Sequence, residues 1–388
     1  MKSKTHHIIR SFIAAAALYI YGSICVNAQE LHFPERWHEE FCKVSPLFRN
    51  DTVTICFLGD VMMHTRQIEN AHRINGDYDF STYFVLLEDR LKNADLTVAN
   101  MEFTLAGEPY SGYPVFSAPD RIAEYMAECG TDIFLCANNH IYDKGTQGAE
   151  RTLETYRKLG REYGISHTGL AGNEAEERFT YPLMKVVKGL RIAMLNFTYA
   201  TNGGKRSGWP KVNYMDDRDD ISLAIEAAKR NHADFIIALA HWGNEYELRH
   251  SHSQEETASW LTDMGTDLII GAHPHVVQDT ASFVSPDGRK TVPVAYSLGN
   301  AVSNMSARNT QLELMATARI VRDMKGRVSM LPLELTFLWC SRPGGFNGSY
   351  TVIPVEEYIE KRELWQNDRD YVNMVETYRR VKKTTGIE

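Results

Sequence analysis

The sequence predicts an α/β fold, and three observations carry that reading. Six short apolar runs, rich in β-branched residues, each end in a polar cluster containing Gly or Asn; helical patterns lie between them; and two segments read as β-hairpins. The runs are Val53 to Leu58 before Gly59-Asp60, Leu96 to Ala99 before Asn100-Met101-Glu102, and Ile133 to Ala137 before Asn138-Asn139-His140. They continue with Phe235 to Ala240 before His241-Trp242-Gly243, Leu268 to Ile270 before Gly271-Ala272-His273-Pro274-His275, and Val292 to Leu298 before Gly299-Asn300. Apolar runs this short, closed by turn formers, are buried strands. Helices are predicted at about Asp120 to Glu128, Gln147 to Tyr163, Asp217 to Asn231 and Gln254 to Met264. Tyr181 to Tyr199, split by Lys188-Gly189, and Leu312 to Phe337, split by Lys325-Gly326, are the hairpins. Hairpins inside an alternating chain predict a mixed sheet or two stacked sheets. Val355 to Lys383 reads as a long charged helix with Trp365, Met374 and Tyr378 available for packing.

The 388 residues are 43% hydrophobic and 24% charged, as in an ordinary folded protein. Lys2, Lys4 and Arg10, the apolar stretch Phe12 to Val26 and the small residues before Gln29 predict a cleaved secretory signal. An uncleaved membrane anchor and a lipoprotein signal on Cys25 are the rival readings. The predicted organisation is a signal peptide at 1–28, an N-terminal extension at 29–50, a catalytic-size domain at 51–340 and a helical tail at 341–388. The product is exported, periplasmic or at the cell surface, with a membrane anchor left open.

The formal net charge is −8, and removing residues 1–28 leaves 39 basic against 50 acidic residues, −11. So acidic a chain has no general attraction for nucleic acid phosphates, which excludes nucleic acid as the expected partner. An anionic substrate needs a local positive centre. Cys42, Cys56, Cys129, Cys136 and Cys340 show no short paired spacing, so zinc knuckles are excluded and a few disulfides or buried thiols both fit. Gly203-Gly204-Lys205-Arg206-Ser207 lacks phosphate-loop spacing and reads as a mobile basic loop. No nucleophile elbow or dinucleotide fingerprint is present.

Ligands gather at the carboxyl ends of α/β strands, and there the clusters place Asp60, His64, Asn100, Glu102, Asn139, His140, Asp143, His241, Glu245, His273, His275 and Asn300. Imidazole, carboxylate and amide oxygens together suit a divalent metal, one or two ions of Mn, Zn, Fe or Mg. In His273-Pro274-His275, alternate residues of an extended segment point to one side, so both rings can meet one ion. Asn139, His140 and Asp143 offer a ligand, a proton donor and a carboxylate to orient it; the alternative is a strand-to-helix turn capped by Asp143. Trp242 reads as packing. His64, Asn100, Glu245 and Asn300 are further ligands or supports of ligands.

In their order, Gly59-Asp60-Val61-Met62, Asn100-Met101-Glu102, Asn138 to Gly145, His241 to Glu245, Gly271 to His275 and Tyr296 to Asn300 resemble the CapA family, the capsule and poly-γ-glutamate biosynthesis proteins. That family belongs with the calcineurin-like metallophosphoesterases, and the resemblance covers about Val53 to Asn300. It implies a four-layer sandwich of two stacked mixed sheets flanked by helices, an extracytoplasmic location, and a part in making, exporting or anchoring a capsule-like polymer. It also implies metal ligation by Asp60, Asn139, His241, His273 and His275, general-acid work by His140, and Glu102 where such enzymes place a bridging Asp. Met62 stands where they carry a His, with His64 as the nearest substitute, and the longer Glu102 alters the bridge. The expected activity is metal-dependent hydrolysis of a phosphoester or amide bond. Expected partners are an anionic surface polymer or its precursor and membrane-bound capsule synthesis or export proteins. The alternatives are a non-catalytic assembly component that binds metal or polymer, and a general extracytoplasmic metallophosphodiesterase.

Overall fold

Alternation along the first strand, Val53–Val61, sets the layering. The computed structural model describes residues 52–387, so the segments read as signal peptide and N-terminal extension, with Cys42, lie outside the described residues. Val53, Ile55 and Phe57 share a core with Ile192, Met194, Ile237 and Ile270 of a second sheet. Cys56 and Leu58 face the other way, into a core with Met126, Leu153 and Tyr156 of the helices Asp120–Glu128 and Gly145–Tyr163. Beyond the second sheet, Leu195, Ile236 and Ala238 pack with Ile221 and Ile225 of Arg218–Arg230 and with Ala258 and Leu261 of His252–Met264. The result is the expected two stacked mixed sheets flanked by helices.

The first sheet has eight strands, in the order Thr351–Pro354, Glu334–Ser341, Leu312–Arg322, Val53–Val61, Leu96–Met101, Ile133–Leu135 and Ser166–Thr168, with Val328–Met330 paired beside Leu312–Arg322. The second has six, in the order Thr280–Val284, Thr291–Ala295, Leu268–Ala272, Phe235–His241, Leu190–Thr198 and Leu183–Val187. In the first sheet the four strands from Val53–Val61 to the Ser166–Thr168 edge run parallel and the rest pair antiparallel; in the second, the four central strands run parallel and an antiparallel strand closes each edge. The predicted runs and helices are present, with boundaries shifted by a few residues. Lys188 and Gly189 both take positive φ, 48° and 76°, the turn that a two-residue hairpin needs.

Two expectations change. The return arm of the second hairpin is broken into Val328–Met330 and Glu334–Ser341, because Pro332 between them has no N–H for the ladder. Residues 341–388, expected as a helical tail, contribute Thr351–Pro354 as the sheet's edge strand. The long helix expected from Val355 is interrupted: Val355–Tyr358 and a 3-10 turn at Arg362–Leu364 precede Asp368–Thr385. Asn367 starts that last helix by accepting from Arg369 N–H, with Asp368 and Asp370 in its first turn. Trp365, Met374 and Val381 then complete the core around Phe337. Cys56, Cys129, Cys136 and Cys340 are buried free thiols. No helix among the described residues is long and apolar enough to cross a membrane.

Close backbone approach draws the strand ends together. Pairing slips one residue between Leu58 and Asp60, and a Cβ on Gly59 would lie 1.9 Å from Gly299 O. A Cβ on Gly271 would lie 2.0 Å from Tyr296 O. Both strand ends therefore rest against the Tyr296 to Gly299 segment, and Asp60 N–H donates to Gly299 O at 2.9 Å. Gly59→Ala should lower the unfolding free energy by about 3 kcal/mol through overpacking; an unchanged urea midpoint would show that this contact does not constrain the fold.

Candidate metal centre

The parallel strands of both sheets end on one edge, and their terminal side chains meet there. Asp60 is fully buried: Oδ1 accepts from Asn100 Nδ2 at 2.6 Å and Oδ2 from the His273 N–H at 3.1 Å. Asn100 Nδ2 also faces His241 Nδ1 at 3.2 Å, so this residue braces two neighbours. Opposite, His241 Nε2 meets Asn139 Oδ1 at 2.8 Å and lies 3.7 Å from Glu102 Oε1. His275 Nδ1 is 2.9 Å from Asn300 Oδ1, which fixes the ring, and 3.5 Å from Asp60 Oδ2.

Three donor groups emerge: Glu102 with His241 and His273, Asp60 with Glu102 and His275, and Glu245 with His273 and His275, each with ligand atoms within 4.8 Å of one another. Glu102 belongs to two of them and lies at the centre. Glu245 is exposed, at the rim. His64 joins none; it starts the helix Thr65–Ala71, and its Nδ1 faces Gln67 Oε1 at 3.2 Å and Asn304 N at 3.3 Å. Burial holds His64 down to about 4. Met62 is buried in the core.

The backbone that aims His273 and His275 differs from the expected extended segment. The strand ends at Ala272, and both residues take positive φ, 97° and 57°. For residues with a Cβ this conformation is strained, and such strain persists where the surroundings over-determine it. The rings still converge, with centroids 5.8 Å apart.

The donor chemistry fits a divalent cation. Both oxygens of Glu102 and Nδ1 of His273 are buried without a hydrogen-bond partner among the described residues. A carboxylate so placed costs several kcal/mol unless a positive charge balances it. The separations from His241 Nε2, 2.8 Å to Asn139 Oδ1 and 3.7 Å to Glu102 Oε1, bracket the edges of about 3.0 to 3.5 Å expected between ligands ~2.1 Å from one ion. Burial, then the charges of Asp60 and Glu245, push Glu102 well above its ordinary range. Burial, then the neighbouring histidines, hold His241 well below its own range and His273 at about 3. A cation would reverse the Glu102 preference while using imidazoles that are already neutral.

Beside this cluster, His140 Nδ1 meets Asp143 Oδ2 at 2.7 Å, and its Nε2 lies 3.9 Å from Glu102 Oε1. Asp143 does not cap the following helix; its Oδ2 also accepts from the Phe116 N–H. Three neighbours escaped the sequence reading. Phe116 stands edge-on to His140, Tyr199 lies over His273, and Asn202 contacts both Asn139 and His140. Asn202 borders the basic loop, a signal too weak to place it; Phe116 and Tyr199 carried none. Glu313 lies behind the site as a fully buried acid whose Oε1 accepts from Gly59 N–H. It is the lone charge in the apolar run Leu312 to Ala318, which marks it in hindsight.

A family model described as bacterial capsule synthesis protein PGA_cap matches residues 54–305. The capsule biosynthesis protein CapA of Bacillus anthracis is 26% identical over 296 residues, covering 74% of this chain and 68% of that protein. The PGA biosynthesis protein CapA of Bacillus subtilis (strain 168) is 26% identical over 299 residues, covering 74% and 73%. Among solved structures, a 5′-nucleotidase precursor from Thermus thermophilus aligns with a TM-score of 0.47 at 14% identity, over 87% of this chain and 60% of that one. The family match takes in well over half of the chain and every residue of the cluster from Asp60 to Asn300. This chain belongs to the bacterial capsule synthesis protein PGA_cap family.

Proposed function

We propose that this protein acts outside the cytoplasm in making, exporting or anchoring an anionic surface polymer, poly-γ-glutamate or a related one, as a metal-dependent hydrolase of a phosphoester or amide bond. The observation that carries the reading is a proton donor held beside two donor groups that share Glu102. Asp60, Glu102, Asn139, His241, His273 and His275 would hold one or two divalent ions of Mn, Zn, Fe or Mg. Such an ion, when bound, supplies Lewis-acid polarisation of a phosphoryl or acyl oxygen.

The chain's own residues do the rest. Asp143 fixes the His140 ring and stabilises its imidazolium, leaving Nε2–H to protonate a leaving group on the cluster side. Asn202 Nδ2 approaches the same Nδ1 at 3.2 Å, but the shorter, charge-assisted contact with Asp143 decides the orientation. Phe116, edge-on at a centroid distance of 4.7 Å, limits ring rotation. Partners would be the polymer or its precursor and membrane-bound synthesis or export proteins.

Met62 supports a second reading, a non-catalytic assembly component that binds metal or polymer, because its buried thioether supplies no donor where a histidine would. Metal content of the purified protein, with a survey of phosphodiester and γ-glutamyl substrates, separates the two; bound metal without turnover of any substrate favours assembly.

In the enzyme reading, His140→Ala should lower kcat by about 10²- to 10⁴-fold with metal content unchanged. Unchanged turnover would remove His140 from the chemistry. Metal binding should also strengthen as pH rises. Glu102 is held above 4.5 in the metal-free fold, so its protonated form contributes stability below that value, lost as pH climbs through the raised one. Divalent metal at a hundredfold excess over its dissociation constant should raise the melting temperature by roughly 5 °C at pH 8. The shift should shrink toward pH 5; a shift independent of pH would mean that Glu102 is not a ligand.

A further inference from the structure

A cavity lies where the loop following Asn300 meets the helix Asp368–Thr385. It encloses about 340 Å³ and is lined by Arg308, Asn309, Asn373, Glu376, Thr377 and Arg380 among others, none of which belongs to the donor groups of the metal cluster. Arg380 is fixed on its wall: Nε and Nη2 donate to Asn309 Oδ1 at 3.1 and 2.8 Å, and Nη2 to Thr377 Oγ1 at 3.0 Å. These bonds hold Asn309 in a left-handed conformation, φ 74°, and leave Nη1 without a protein partner among the described residues.

Arg308, next to Asn309 in the chain, is exposed, lines the same cavity and forms no hydrogen bond or ion pair among the described residues. Elsewhere in this acidic chain, arginines such as Arg151 on Asp120 and Arg157 on Glu176 take carboxylate partners. Here two guanidinium groups face one polar cavity, and Glu376, the only carboxylate on its wall among the described residues, comes within ion-pair distance of neither. Burial, then the nearby Arg308 charge, hold Arg380 below its ordinary range, with Glu376 offsetting part of the effect. Guanidinium groups present planar forks of N–H donors that match carboxylate and phosphate oxygens.

We propose that this cavity is an oxyanion-binding site, in which Arg308 and Nη1 of Arg380 grip a carboxylate or phosphate group, with Asn373 available as a further donor. The site stands independently of the metal centre. That the polymer supplies the anionic group rests on the function proposed above; a free small anion is the other source.

Calorimetric titration of the full chain at low salt, with inorganic phosphate, monomeric glutamate and a γ-linked glutamate oligomer as separate probes, tests this. Binding of the oligomer with weak or no binding of the monomers supports a polymer site, and binding of phosphate or glutamate alone supports a free-anion site. In either case Arg308→Ala should weaken binding by roughly tenfold or more, with an unchanged melting temperature because Arg308 is exposed and forms no hydrogen bond or ion pair among the described residues. Arg380→Lys should weaken it as well, since a lysine keeps the charge and loses the fork. Asp60→Asn should leave this binding intact, so the anion site survives if the hydrolase reading fails. No binding of any probe, or binding that Arg308→Ala leaves unchanged, overturns the proposal.

Discussion

A carboxyl group whose two oxygens are both buried and unpartnered among the described residues stays ionised only beside a positive charge, and the fold brings everything at this edge to bear on that condition at Glu102. Two sheets deliver their parallel strand ends to one place: Asp60, Glu102 and Asn139 from the first, His241, His273 and His275 from the second. Glycines at 59 and 271 permit the backbone approach that sets these ends side by side. Hydrogen bonds then fix two of the donors, Asn100 on Asp60 and Asn300 on His275. These contacts restrict the ligands before any ion arrives, so less ordering entropy opposes binding.

How much of this was legible follows from what kind of contact each feature needs. Buried parallel strands must be apolar on both faces and end in turn formers, so their positions and terminal side chains stand out in the chain itself. Asp60, Glu102, Asn139, His140, Asp143, His241, His273 and His275 were therefore readable together. The left-handed backbone at His273 and His275 was not, because it is imposed by packing and not by residue type. Phe116, Tyr199 and Asn202 reach the site from loops, where no periodicity announces a partner far along the chain. The tail misled for a related reason: its apolar residues fit a helix period, but Thr351–Pro354 pairs with Glu334–Ser341, a strand contact that helical spacing cannot reveal.

The charge of the chain bears on the same question. With more acids than bases, the molecule as a whole repels an anionic polymer, and attraction must be local. The cluster around Glu102 gains positive potential only with a cation bound, whereas the arginine cavity near Asn309 carries its own. The two differ in what they can recognise. An ion acts on the oxygen nearest to it, while guanidinium forks match the paired oxygens of a carboxylate or phosphate.

The donor count is unequal across Glu102, and this bears on how many ions are held. On one side stand Asn139 Oδ1, His241, His273 and Glu102, four protein donors, the usual complement of a tightly bound first-row ion. On the other stand Asp60, His275 and Glu102, with Glu245 only at the exposed rim. The residue two beyond Asp60, Met62, turns into the core and contributes no donor, and His64 is committed to the start of its helix. The first side is a closed set and the second lacks a ligand. The asymmetry comes from the fold itself: Met62 packs into the core and His64 bonds its own helix start, so neither reaches the Asp60 side.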